Sequence, residues 1–368
     1  MYVRMINNIK NFRCIYIKKS IYYTFYVIMD VLEPELVWIN GRCYRFYESS
    51  AWKNMDTSAP YVEDEELVSS EDESDTDIEI VSCGTMFKHT FYVPTAFYAN
   101  IIGAKGSTRK RLESETGTTI EVPRKGKVAD IAILGRDRKA IISARHRIDL
   151  LIEDVRKKKR YTHFLSIPLN KQEIIDNFNS FKTDVLEKYA KSTRNIDESL
   201  FQTASKLHIT IGMLKLFDDN EKKQAFDVLN DCKEKVIKPI LEESEPLKIQ
   251  LRGVECMNDD PTEVKVLFAK ISQNDKLQKL VDETVNHFVD FGLMKKEREN
   301  VKLHATLMNV SFKDDHSSRF KEKIDATEIF KDHKETLFGE ITLNQIDISE
   351  LGTASKNNYY KSIGSITI

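Results

Sequence analysis

Lys206-Leu207-His208-Ile209-Thr210-Ile211 and Lys302-Leu303-His304-Ala305-Thr306-Leu307 each set a histidine two residues before a threonine inside an apolar run. Imidazole titrates near neutral pH, so a pair can divide two jobs: taking a proton from an attacking oxygen and giving one to a leaving oxygen. Threonine hydroxyls beside them can donate hydrogen bonds to the non-bridging oxygens of a phosphate and stabilise charge as it develops. That is the equipment for breaking a phosphodiester or a 2′,3′-cyclic phosphate, and the chemistry calls for neither a metal nor a cofactor. A single histidine in a strand is more often structural than catalytic. Here the phrase recurs at Lys, Leu, His and Thr with an offset of 96 residues, and chance explains that poorly. The repeat makes the two histidines formally exchangeable, so the sequence leaves open which is base and which is acid.

In a β-strand the His-x-Thr spacing directs both polar side chains to one face. Strands are expected at Thr162–Leu169, Leu207–Leu214, Leu247–Val254, Val264–Ile271, Leu303–Val310, Glu340–Ile348 and Tyr360–Ile368, with helices near 171–189, 219–239 and 275–291. Strands alternating with helices around a repeated motif suggest two similar lobes, each giving one His-x-Thr strand to a shared cleft. Residues 161–368 resemble the 2H phosphoesterases, a LigT-like superfamily named for its two histidines. The resemblance implies a two-lobed domain with a central cleft and catalytic roles for His208, Thr210, His304 and Thr306.

Residues 86–160 read as strand, helix, glycine loop, helix, two strands and a long helix. The loop is Gly103-Ala104-Lys105-Gly106. Glycines let backbone approach phosphate closely, Lys105 adds charge, and a helix beginning at Ser107 aims its first amides at the same anion. Arg109, Lys110 and Arg111 extend the positive surface. A P-loop would need Gly-Lys-Ser/Thr after a strand, whereas here Lys-Gly-Ser follows a helix. A helix-turn-helix that uses its glycines only for steric reasons remains the competing reading, and 18 basic against 8 acidic residues in the segment weigh against it. The βααββα order with a Gly-x-x-Gly loop resembles a type I KH domain, which implies that Gly103, Ala104, Lys105, Gly106, Arg109 and Arg111 bind single-stranded RNA or single-stranded DNA, the neighbouring 2H domain favouring RNA.

The net charge of -2 conceals this division, because residues 30–85 hold 15 acidic and only 3 basic side chains. Ten of the seventeen residues from Glu63 to Glu79 are acidic, too polar to offset chain entropy by burial, so 61–85 is expected to be a disordered linker. Its Ser69, Ser70, Ser74 and Thr76 would suit an acid-directed kinase, and Ile78–Val81 could add as a strand to a partner. Residues 29–60 form a short aromatic segment with a hairpin around Asn40-Gly41, serving either as a docking peptide or as a strand folded back on its own domain. Residues 1–28 are basic and free of acids. Their apolar runs are too short to span a membrane, and one serine with two arginines fits a mitochondrial presequence poorly. The composition favours an A/T-rich leader read in frame, with Met29 as the start. Five scattered cysteines, with no C-x-x-C pair, suggest neither disulfides nor structural zinc, but a reducing compartment.

Taken in order, the aromatic segment, the KH domain and the 2H domain resemble the family of KH–2H subunits of the activating signal cointegrator complex. The phrases that carry this are Ile101–Gly106 with Thr108–Arg111, Tyr161–Leu165, Lys206–Leu214 and Met257–Pro261. The resemblance implies an α+β protein of two domains and an RNA-binding subunit, nuclear and also cytosolic, partnered by a helicase subunit and other subunits of that complex, with no membrane. Its field would be transcription coactivation, alkylation-damage repair and ribosome quality control. The 2H domain would act on RNA ends as a cyclic phosphodiesterase or 3′ exoribonuclease. The alternative is a non-catalytic adaptor whose cleft only binds nucleotide or RNA ends.

Overall fold

The computed structural model describes residues 35–39, 42–46, 78–124, 129–190, 196–241, 246–258, 260–296, 298–313, 323–353 and 358–368. The leader 1–28, most of the aromatic segment, and the acidic run as far as residue 77 with its serines and threonine lie outside these residues. Of the aromatic segment, β1 (Glu35–Ile39) and β2 (Arg42–Phe46) pair antiparallel with Ile39 opposite Arg42, while Asn40 and Gly41 lie outside the described residues.

The chain divides into two compact units, the first running through Val155 except for Pro94–Ala96, the second made of those three residues and Arg156–Ile368. In the first, β3 (Val81–Cys83), β4 (Met86–Phe91), β5 (Thr119–Glu121) and β6 (Ile131–Gly135) make an antiparallel sheet in the order β3-β4-β6-β5. Helices α1 (Tyr98–Ile102), α2 (Ser107–Thr116) and α3 (Arg138–Lys158) complete the βααββα order. The core is built from Phe97, Ile101, Leu112, Ile120, Ile133, Ile141 and Ile148, all 3 % exposed or less. One expectation is corrected: the acidic linker does not reach residue 85. Val81 pairs with Lys88 and Cys83 with Met86, while Ile78 and Ile80 are buried. Ile78 and Ile80 thus bury their side chains ahead of β3, which forms one edge of the sheet.

The second unit carries β7 (His163–Pro168), α4 (Gln172–Tyr189), β8 (His208–Leu214), α5 (Asp219–Cys232), β9 (Lys248–Cys256), β10 (Val266–Ile271), α6 (Asp275–Asp290), β11 (His304–Asn309), α7 (Thr327–His333), β12 (Leu337–Thr342), β13 (Gln345–Glu350) and β14 (Ser362–Thr367). The helix expected over 219–239 runs as α5, then a π turn at Lys233–Ile237, then Lys238–Leu241. Asp218 and Asn274 cap α5 and α6 by accepting from the amides of Glu221 and Leu277. On α6, Leu277, Leu280, Val281, Thr284, Val285 and Phe288 form the buried stripe.

The eight strands are ordered β12-β9-β10-β11-β8-β7-β13-β14. The chain builds β7 and β8 in one half, crosses to build β9 to β12 in the other, and returns for β13 and β14. The single strand expected over Glu340–Ile348 is two strands, and this break shapes the domain. Only Leu343 and Asn344 separate β12 from β13, so Thr342 and Gln345 lie within about 11 Å of each other. Yet six inter-strand steps separate the two strands within the sheet, about 29 Å if it were flat. The sheet must therefore curl until its two halves face each other, and a cleft results.

Candidate active site and nucleic-acid interface

Both His-x-Thr phrases open central strands. Ile209, Ile211, Ala305 and Leu307 are buried in the core, whereas His208, Thr210, His304 and Thr306 are half-buried on the other face. Each histidine is held the same way: His208 Nδ1 donates to the carbonyl of Lys206 at 2.7 Å, and His304 Nδ1 to that of Lys302 at 2.7 Å. A carbonyl can only accept, so Nδ1 carries the hydrogen and Nε2 keeps its lone pair in the neutral ring. An aromatic ring stands edge-on to each imidazole with centroids 5.4 Å apart, Tyr360 against His208 and Phe268 against His304. The ammonium groups of Lys206 and Lys302 lie over those same rings at 5.0 and 4.9 Å.

The electrostatics are less symmetric. Burial pushes the His208 imidazole down to about 4, opposed by its carbonyl hydrogen bond and reinforced by His304. Phe164, stacked at a tilt 4.9 Å away, together with Tyr360 supplies much of that apolar surround. Burial lowers His304 as well; its carbonyl bond raises it, and the charges of Lys302 and Arg298 lower it further. Both rings are thus neutral near pH 7 in the free protein.

The pairing of the two strands brings the motifs together crosswise. Ile209 is opposite Ala305, their one registered pair, so antiparallel counting sets His208 across from Thr306 and Thr210 across from His304. Beside that pair lies a cavity of about 300 Å³, lined by Thr210 and His304 together with Lys295, Lys296 and Arg298.

In the first unit, Gly103-Ala104-Lys105-Gly106 links α1 to α2. Three of its residues have positive φ: Gly103 at 71°, Lys105 at 52° and Gly106 at 81°. No side chain caps α2, and its first amide, that of Ser107, donates to the carbonyl of Ala104 within the loop. Ala104 and Lys105 are exposed. Arg109 and Arg111 pair with Glu113 and Glu115 one turn on, at 3.9 and 3.1 Å, and being two residues apart they leave the helix on different sides. Only one of them can therefore flank the loop's own face.

The AKAP7 2′5′ RNA ligase-like domain family matches residues 161–368, and the KH domain family matches 88–150. The mouse (Mus musculus) activating signal cointegrator 1 complex subunit 1 is 36 % identical over 362 residues, covering 92 % of this chain and 99 % of the relative. The chain belongs to the activating signal cointegrator 1 complex subunit 1 family. Among solved structures, E. coli LigT complexed with 3′-AMP is 14 % identical over 57 % of this chain and 99 % of its own, with a TM-score of 0.36. The first KH type I domain of human Vigilin is 28 % identical over 22 % of this chain and 88 % of its own, with a TM-score of 0.20. The fold is a KH domain followed by a 2H phosphoesterase domain.

For this member of the cointegrator-subunit family, sequence reasoning missed several residues around the histidines. Tyr360 and Phe268 sit far from either motif in the chain and reach the site only through the sheet order. Lys206 and Lys302 stood inside the repeated phrase, and their identity in both copies was the available signal. The basic segment from Lys295 had no repeat to mark it.

Proposed function

We propose that this chain is the RNA-binding subunit of a nuclear transcription-coactivator and DNA alkylation-repair complex, and that its 2H domain cleaves phosphodiesters at RNA ends. The observation that carries the chemistry is the matched pair of Nδ1 hydrogen bonds at 2.7 Å, which fixes both tautomers and offers Nε2 of each ring to substrate. His208, the more deeply depressed of the two, is the base. His304, which lines the cavity, is the acid, protonated when an anionic phosphate arrives and offsets Lys302 and Arg298. Thr210 and Thr306 donate to the phosphate oxygens. The name of the mouse relative supports complex membership; a nuclear location and a helicase subunit as partner are part of the proposal. The aromatic hairpin β1–β2 is the proposed contact, and its deletion should lower recovery of the complex; unchanged recovery removes that assignment.

The test of chemistry is a short RNA ending in a 2′,3′-cyclic phosphate or a 3′-hydroxyl, incubated in chelator. Turnover that disappears in His208→Ala and His304→Ala variants supports the enzyme. A second reading has its own support: burial pushes both imidazoles below their ordinary range, which disfavours the imidazolium that an acid requires. An adaptor that only grips RNA ends would show binding with the RNA unchanged.

A further inference from the structure

The two halves of the cleft are not equivalent, and the difference points to a substrate class. On the His208 side the space is filled by Phe164 and Tyr360, which pack on each other with centroids 4.9 Å apart. On the His304 side, where β8 and β11 part, the cavity remains open. Its volume of about 300 Å³ lies at the small end of ligand pockets and suits one nucleoside rather than a longer segment.

The lining has two chemistries. Met213, Met257, Met294 and Tyr161 offer polarisable and aromatic surface, suited to the flat face of a base. Lys295, Lys296 and Arg298 supply cations in the same cavity as His304, Arg298 acting on that imidazole through its charge. Lys296 donates to Asn286 Oδ1 at 3.0 Å, a neutral partner that leaves its charge uncompensated by that bond. A ligand meeting only the histidines and threonines would need one phosphate. A second cluster of cations beside an apolar slot calls for a second anionic group.

We infer that this cavity holds the nucleoside next to the reactive phosphate and that Lys295, Lys296 and Arg298 bind its other phosphate, so the preferred substrate is a nucleotide phosphorylated on both its 3′ and 5′ sides. This rests on the phosphodiesterase reading for its use, but not for its test. Such a site selects the end of a polynucleotide over a free nucleoside cyclic phosphate. It also ties binding to the proton: an anion on Arg298 removes part of the charge that disfavours the imidazolium of His304.

The experiment uses the full chain carrying His208→Ala, which leaves the cavity lining untouched and removes turnover from the measurement. Calorimetry compares uridine 3′,5′-bisphosphate with uridine 3′-monophosphate. The bisphosphate is expected to bind at least about tenfold tighter, the scale of one charge-assisted contact. Lys296→Glu with Arg298→Glu should erase that gap, Arg298→Gln alone should reduce it, and Lys105→Glu in the KH loop should leave it intact. Equal affinities for the two ligands, or a gap that survives the charge reversal in a variant with unchanged melting, overturn the inference. Neither ligand is cleaved, so an inactive enzyme would fail the cyclic-phosphate assay without altering these results.

Discussion

Thr210 lies across the strand boundary from His304, and both line the same cavity. The single pair Ile209–Ala305 produces this arrangement, because in antiparallel strands the residues flanking a pair are exchanged. The register sets each histidine opposite the threonine of the other motif, so the two phrases are read as halves of one site rather than two sites.

Crosswise service predicts crosswise coupling. Thr210→Ala and Thr306→Ala should each lower kcat by about 10²-fold, the usual effect of losing one donor to a developing oxyanion, while the serine variants keep most of it. In NMR spectra of the free protein, Thr306→Ala should shift the His208 ring resonances more than those of His304, and Thr210→Ala the reverse. Equal shifts at both rings in both variants would contradict the pairing.

The depressed His208 makes a signed prediction about pH. Above about 6.5 the ring is neutral in both folded and unfolded chains. As pH falls from there toward about 4, the unfolded chain takes up a proton that the folded site refuses, so stability declines over that window. Replacing His208 by Gln should flatten this decline in denaturant titrations between pH 7 and 4. Asp149, which burial raises to about 6, acts with the opposite sign in the first unit, so the comparison belongs between wild type and variant rather than in one absolute curve. An equally steep decline in the variant would remove the burial argument for His208.

The His-x-Thr strands were legible because alternation alone decides which side chains face the core, and Ile209 and Ala305 obey it. The glycine loop was legible because few backbones need Gly at both 103 and 106. The break at Leu343-Asn344 was not, since no glycine or proline interrupts the apolar alternation there; only Thr342 pairing with Lys248 and Gln345 with Thr367 separates the two strands. Tyr360 and the cations from Lys295 were hidden for a related reason: their places depend on curling and on strands that part, both long-range events. Ile78 and Ile80 were read with the acids around them, although both are buried just ahead of the strand that begins at Val81.

The loop glycines should differ in cost. At Gly106 a methyl group meets open space, so Gly106→Ala pays only for its positive φ, about 1 kcal/mol. At Gly103 the same methyl would lie 2.2 Å from Thr108 Oγ1 and 2.7 Å from its amide, in addition to a φ of 71°. Gly103→Ala should therefore lower the melting temperature further and displace the first turn of α2. Lys105→Asp should leave melting near wild type but weaken single-stranded RNA binding and reduce its salt slope by about 1. Unchanged affinity would move the RNA off this loop.

Gly212 offers a way to fill the cavity without touching a charged or reactive group. A Cβ at this position would stand 2.6 Å from Met294 Sδ and 2.9 Å from its methyl carbon, with φ in the ordinary region. The end of a methionine yields readily, so the thioether moves rather than the strand, and the space it can take is the cavity it already lines. Gly212→Ala should therefore cost about 1 kcal/mol or less in stability, partly offset by the stiffer unfolded chain. Nucleotide affinity should nevertheless fall severalfold, and Met294→Ala added to Gly212→Ala should restore it by giving the methyl group room. A variant that binds nucleotide as wild type does would mean that the ligand never enters the gap between β8 and β11.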